Sequence, residues 1–219
     1  AWGPKSVDAY EIGAKASFRG SQVSGYFNIA AFYNDFTNQQ IQATLTAKVG
    51  APSTGGTTTI NAGTSRISGI EIDTALTFFD SLKAEIGYAY LDTKLKSLTG
   101  LPPDDNRVWQ AGQLPWCCVV PTANVGEALS FSPKHRLQAT LTYTLPLPES
   151  VGEVSIGGTY VYTDKQQSNI STPLGLLPST QLLNLNATWK DVLGQPIDLG
   201  FFMTNVTNEK FLLAAGGFY

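Results

Sequence analysis

Charge is scarce in this sequence. Only 14% of its 219 residues are Asp, Glu, Lys or Arg, against about 25% in average soluble domains, so an exterior kept in water by ionised groups is hard to build from it. A net charge of −3 leaves no basic footprint, which excludes nucleic acid as a partner. Histidine occurs once and cysteine twice, too few for a Cys/His metal centre, and no metal or other cofactor is expected. The cysteines, Cys117 and Cys118, are adjacent. Their Cα atoms lie about 3.8 Å apart across a trans peptide, less than the roughly 4.4–6.8 Å of ordinary disulfides. They read as two loop thiols or a strained pair without a catalytic role. No Gly-x-Ser-x-Gly elbow accompanies His135, so that residue reads as the start of a strand, and an enzyme is not expected. No run of about 18 apolar residues is present, which excludes a spanning helix but leaves a membrane barrel open, because barrel strands carry a far weaker signal. The opening Ala1-Trp2-Gly3-Pro4-Lys5 is not a signal peptide, and the chain reads as a mature protein or a fragment.

What is abundant is alternation. From Gly69 to Phe78, Ile70, Ile72, Leu76 and Phe78 fall on one face of a period-2 strand, and Glu71, Asp73, Ala75 and Thr77 on the other. The pattern recurs and predicts eight antiparallel strands, at about 7–18, 27–48, 60–79, 82–96, 134–146, 153–168, 180–189 and 196–207. Connections after the odd strands are short and those after the even strands long, the middle one being an irregular segment over about 98–132. Since successive strands reverse, all long loops gather at one end. Aromatics sort likewise: Tyr10, Tyr33, Tyr88, Tyr90, Tyr160 and Tyr162 near the long-loop end, and Phe18, Phe78, Tyr143 and Trp189 near the short-turn end. Tyr10 to Phe18 spans roughly 26 Å at about 3.3 Å per residue, or roughly 20 Å when tilted, close to the apolar band of about 25 Å in outer-membrane barrels. The polar face is rich in small residues (Gly13, Gly87, Ala89, Gly157, Gly200), which suits a water-filled lumen. Period 2 alone also fits a soluble β-sandwich binding carbohydrate, and eight strands are enough to close a small independent barrel acting as a pore or adhesin.

The ordered strings SVDAYEIGAKASF, FNIAAFYNDFTNQQIQ, NAGTSRISGIEID, SFSPKHRLQATLTY, LLNLNATWKDV and FFMTNVTNEKF resemble the C-terminal part of the barrel domain of TonB-dependent outer-membrane receptors, in that family's order and over nearly the whole chain. The resemblance implies an all-β, up-and-down transmembrane barrel, of which residues 1–219 supply about eight consecutive strands out of about 22. Residues 1–219 are expected to lack the plug domain, the TonB-contact segment and the closing strand, and FLLAAGGFY, which does not alternate, reads as a loop through Phe218 and Tyr219. It further implies energised uptake of a scarce small ligand, such as a siderophore-like chelate, a vitamin or a saccharide, across the outer membrane of a Gram-negative bacterium. The implied partners are outer-membrane lipid, an N-terminal plug in the lumen, and the inner-membrane TonB complex acting through that plug.

Two sets of site residues follow. Asp104, Asp105, Arg107, Trp109 and Trp116 lie in the longest loop, where tryptophan stacking and charge could capture a ligand. The Asp104-Asp105 pair lacks the spacing of a Ca²⁺ loop. Glu11, Lys15, Glu71, Asp73, Lys83, Glu85 and Arg136 should face the lumen, lining water and meeting a plug.

Overall fold

The computed structural model describes residues 3–52, 55–99, 108, 110–113, 115–121, 124–168 and 175–215. Among these residues are eleven strands: β1 (Ser6–Arg19), β2 (Val23–Ala47), β3 (Gly56–Phe78), β4 (Leu82–Leu98), β5 (Trp116–Pro121), β6 (His135–Thr144), β7 (Glu153–Thr163), β8 (Gln166–Gln167), β9 (Leu176–Leu177), β10 (Thr180–Lys190) and β11 (Leu199–Met203). Eight of them pair in the order β1-β2-β3-β4-β6-β7-β10-β11, and β5 pairs with Ala43–Ala47 of β2, beyond the reach of β1. Every neighbouring pair on this path is antiparallel. This is the up-and-down meander that the alternation predicts. Its first and last strands do not meet, so these residues form an open stretch of wall and not a small closed barrel.

The register sorts the side chains into two faces. Ala14, Ile29, Ile72, Tyr88 and Leu137 stand side by side across five strands. One residue along, Lys15, Asn28, Asp73, Gly87 and Gln138 form the matching row on the opposite face. The apolar face is bare: Ile70 is 41% exposed, Leu141 53% and Leu199 55%. A sandwich would bury these residues under a second sheet, and among the described residues no second sheet covers them.

The dry interior that exists lies at the long-loop end. Ile41, Ala43, Ala62 and Leu95 are buried there with Ser65 and Thr93. Residues 124–129 cover part of it: the Gly126 amide donates to the Leu95 carbonyl (2.8 Å), and the Leu129 amide donates to Thr93 Oγ1 (3.0 Å).

Several boundaries depart from the alternation. The Gly/Thr/Ser-rich stretch read as a loop over 49–59 yields to strand from Gly56, because the β-branched run Thr57-Thr58-Thr59 suits an extended pleat and pairs with Ala43 and its neighbours. β2 and β3 therefore form a long hairpin, broken between Phe36 and Gln39 by a bulge at Asn38, whose φ is 54°. The segment 98–132, expected to be irregular, contributes β5. The sixth predicted strand stops at Thr163, and Gln166–Gln167 pairs separately with β9. The last strand is only Leu199–Met203. Before it, Asp198 leaves the ladder to accept a hydrogen bond from the Asp191 amide (3.0 Å). Phe218 and Tyr219 lie outside the described residues.

After β11 the chain is clipped by Asn205 in the left-handed region (φ 50°). Its Oδ1 accepts from the Glu209 amide (2.8 Å), its Nδ2 donates to the Glu209 carbonyl (3.0 Å), and its own amide donates to Asn184 Oδ1 (2.8 Å). Asn205→Ala removes two hydrogen bonds and leaves a Cβ-bearing residue in αL without local support. The expected loss is about 1–3 kcal/mol, read as a lower urea midpoint for the heat-modifiable gel band of the folded protein.

Candidate functional site

The polar face of β1–β4 and β6 carries a groove. Its walls come from the row Lys15, Asn28, Asp73, Gly87, Gln138 and from the adjacent residues Glu71, Ala89 and Arg136. Charge is segregated by strand. Carboxylates Glu71 and Asp73 stand on β3, Lys15 is two strands away on β1, and Arg136 is two strands away on β6. Strand alternation causes this grouping, since residues two apart on one strand share a face and paired residues sit about 5 Å apart. Asp73 is held by neighbours on β2: Tyr26 Oη donates to its Oδ1 (3.4 Å) and Asn28 Nδ2 to its Oδ2 (3.3 Å). Lower on the same face, Lys83 Nζ pairs with Glu85 Oε1 at 2.8 Å. Glu11 lies further toward the long-loop end, opposite Phe32. Gly87 leaves open space in the groove floor, where an added Cβ would meet nothing within 4 Å. A floor of small residues between separated acids and bases can receive a polar protein surface or hydrated solutes. It brings no nucleophile and base together.

Tyr26, Asn28 and Gln138 belong to this surface and were not singled out in the sequence. The signal was available, because each shares the register row or the parity of Asp73.

At the long-loop end, Trp116 opens β5 and is half-buried. Asp104, Asp105, Arg107 and Trp109 lie outside the described residues. Cys117 and Cys118 are joined by a disulfide with a Cα–Cα distance of 3.8 Å, and they sit on a strand rather than in a loop. A second polar network occupies the apolar side just past the tyrosines: Tyr33 Oη donates to Asp35 Oδ2 (3.0 Å), Lys96 Nζ pairs with Asp35 Oδ1 (3.0 Å), and Arg66 pairs with Asp92. The face that is apolar below Tyr33 is ionic above it, as expected where a wall leaves hydrocarbon. His135 is the first residue of β6, as its Pro-Lys-His-Arg context predicts. Its Nδ1 hydrogen-bonds Tyr88 Oη (2.9 Å), and its ring lies against Tyr90 with centroids 5.3 Å apart. The sole histidine is thus part of the aromatic border.

Comparison with known proteins agrees with this geometry. The siderophore receptor PiuA from Acinetobacter baumannii superposes over 95% of this chain with a TM-score of 0.67 at 20% identity, using 25% of its own length. The ferric yersiniabactin uptake receptor FyuA from Yersinia pestis matches 94% of the chain (TM-score 0.63, 12% identity, 26% of its length). The ferric-catecholate import receptor Fiu from E. coli K12 matches 94% (TM-score 0.60, 14% identity, 24% of its length). The chain thus spans about a quarter of the length of each of these receptors. No curated protein sequence matches it. The family model described as TonB dependent receptor-like, beta-barrel, matches residues 4–206. An open meander with one bare apolar face, sorted loops and this match have one common account: the chain belongs to the TonB-dependent receptor β-barrel family.

Proposed function

We propose that this segment forms part of the wall of an outer-membrane receptor that imports a scarce iron chelate of the siderophore type, driven by TonB through a plug domain in the lumen. In this reading residues 1–219 are the C-terminal part of the barrel, in a Gram-negative bacterium. The bare apolar face carries the argument. A contiguous face of exposed apolar side chains, Ile70, Leu141 and Leu199 among them, is far larger than soluble surfaces leave to water and suits contact with lipid. The choice of an iron chelate is supported by the names of the similar structures, which are siderophore and ferric-chelate receptors. Long connections at one end provide the capture surface, with Trp116, Trp109, Arg107, Asp104 and Asp105 as its candidates. The groove lined by Lys15, Glu71, Asp73 and Arg136, with Glu11, Lys83 and Glu85 on the same face, meets the plug and lines water. The segregated charges let a plug surface of alternating sign dock in one orientation.

The test is transport. Cells in which the full-length protein is the sole receptor of its kind should accumulate radiolabelled ferric chelates under iron limitation, and should lose that accumulation when TonB is deleted or the proton-motive force is collapsed. Accumulation that persists without TonB would overturn energised uptake. Failure of every chelate tested, with uptake of a vitamin or saccharide instead, would overturn the ligand class alone.

A further inference from the structure

The pairing of β5 with β2 skips one residue. Thr46 stands opposite Cys118 and Ala47 opposite Trp116, so Cys117 bulges out of the register. The cause is chemical. A regular strand points successive side chains to opposite faces, whereas a disulfide between neighbours requires both sulfurs on one side. The strand accommodates the ring by giving up one paired position, which is the definition of a bulge.

The bulge decides where Trp116 points. Opposed residues share a face, so Trp116 shares the face of Ala47, which by alternation is also that of Leu45 and of buried Ala43. The indole follows: its Cη2 lies 3.9 Å from the place a Cβ on Gly56 would occupy, and Gly56 is the partner of Leu45. The shifted pairing continues one step further, where the Lys48 amide donates to the Pro115 carbonyl (2.8 Å). In an unbulged register Cys117 would stand opposite Ala47 and Trp116 opposite Lys48. A shift of one residue exchanges faces. Trp116 would then leave its glycine seat for the side carrying Thr44 and Thr46, both exposed, and Lys48, which is buried.

We propose that the Cys117–Cys118 disulfide is a thiol-sensitive latch that pins Trp116 on the Ala43–Leu45–Ala47 face of the β2–β5 pair and releases it on reduction. The reductant is a small thiol. A thiolate RS⁻ attacks one cysteine sulfur, the Cys117–Cys118 bond breaks, and a mixed disulfide forms while the other cysteine leaves as thiolate. A second RS⁻ attacks the mixed disulfide, giving RS–SR and the second cysteine thiolate. In total two thiols are oxidised, the disulfide is reduced by two electrons, and both cysteines take up the protons. With the ring open, Cys117 and Cys118 can take opposite faces and the ladder can close its gap. This mechanism holds whatever ligand the receptor carries. Its readout involves no transport, so failure of the uptake test leaves it standing.

The experiment is hydroxyl-radical footprinting of the full-length protein in native membranes, with mass spectrometry of the peptide containing residues 115–121, before and after anaerobic treatment with dithiothreitol. The native peptide should carry the disulfide, and oxidation of Trp116 should rise several-fold on reduction. In the Cys117→Ser/Cys118→Ser variant, labelling should stand at the higher level with or without dithiothreitol. Trp116 labelling that is equal in the oxidised and reduced wild-type protein, or a native peptide carrying two free thiols, would overturn the proposal. The wild-type comparison decides the matter even if the double variant fails to assemble.

Discussion

Ile86→Lys is expected to lower the stability of the assembled barrel by about 2–4 kcal/mol, the depth-dependent cost of a lysine facing lipid near the bilayer midplane. Gly87→Lys, one residue along β4, is expected to be nearly neutral. Ile86 stands in a row with Thr74 and Ala139 on the apolar face, midway between the Tyr88–Tyr90 border and Leu82 at the short-turn end, and it is 37% exposed. Gly87 belongs to the polar row and has open space where a side chain would grow. The pair removes common confounders, since both sites lie on one central strand between the same two neighbouring strands, β3 and β6. Urea unfolding of the protein in bilayers of defined thickness reads the difference. A larger loss at Gly87 would mean that the faces have been assigned the wrong way round, and equal losses that lipid does not distinguish them.

Gly152→Ala should be as damaging, by a different route. Gly152 has φ of 93°, and a Cβ there would lie 2.3 Å from the Lys190 carbonyl oxygen and 2.4 Å from that of Asp191. Neither atom can yield, because both belong to the backbone of the neighbouring turn. That turn is already tied to Gly152's own: the Leu193 amide and Trp189 Nε1 both donate to the Val151 carbonyl (3.1 and 2.8 Å), and Lys190 pairs with Glu153 at 2.7 Å. The substitution therefore opposes a left-handed conformation costing about 1–2 kcal/mol for a Cβ-bearing residue and forces two turns apart as well. The expected outcome is a loss on the order of 3 kcal/mol or more, seen as a reduced yield of the heat-modifiable folded band. A glycine-to-alanine exchange at Gly200, where a Cβ would meet nothing within 4 Å, should leave that yield unchanged.

The central wall was legible because one rule governs it. Wherever a strand must present lipid on one side and water on the other, each residue declares its face, so Ile70, Leu141 and Leu199 could be placed from parity alone. The two ends were less legible because the rule lapses there. Around Asn38 the β2–β3 register shifts twice, and past Tyr33 the outward side turns ionic, so Asp35, Arg66, Asp92 and Lys96 gave no clear signal. β5 was hidden because a strand added to an edge from a distant loop leaves no neighbouring hairpin in the sequence. The bond between Cys117 and Cys118 was hidden for a related reason: ordinary disulfide spans argue against neighbours, and only the bulged register shows how the strand accommodates them. Of the candidate site, the charges of the groove could be found by parity, whereas Tyr26, Asn28 and Gln138 attract attention only once the register sets them beside Asp73.

Beyond Tyr33, β2 continues to Ala47, roughly 45 Å of chain at about 3.3 Å per residue, and its ladder with β3 shifts register twice in succession, between Phe36 and Gln39 and between Gln39 and Gln40. Tied on both sides of that two-step break and braced along Ala43–Ala47 by β5, the ribbon joins the wall at Phe36 and Ser65, the last paired rung below it.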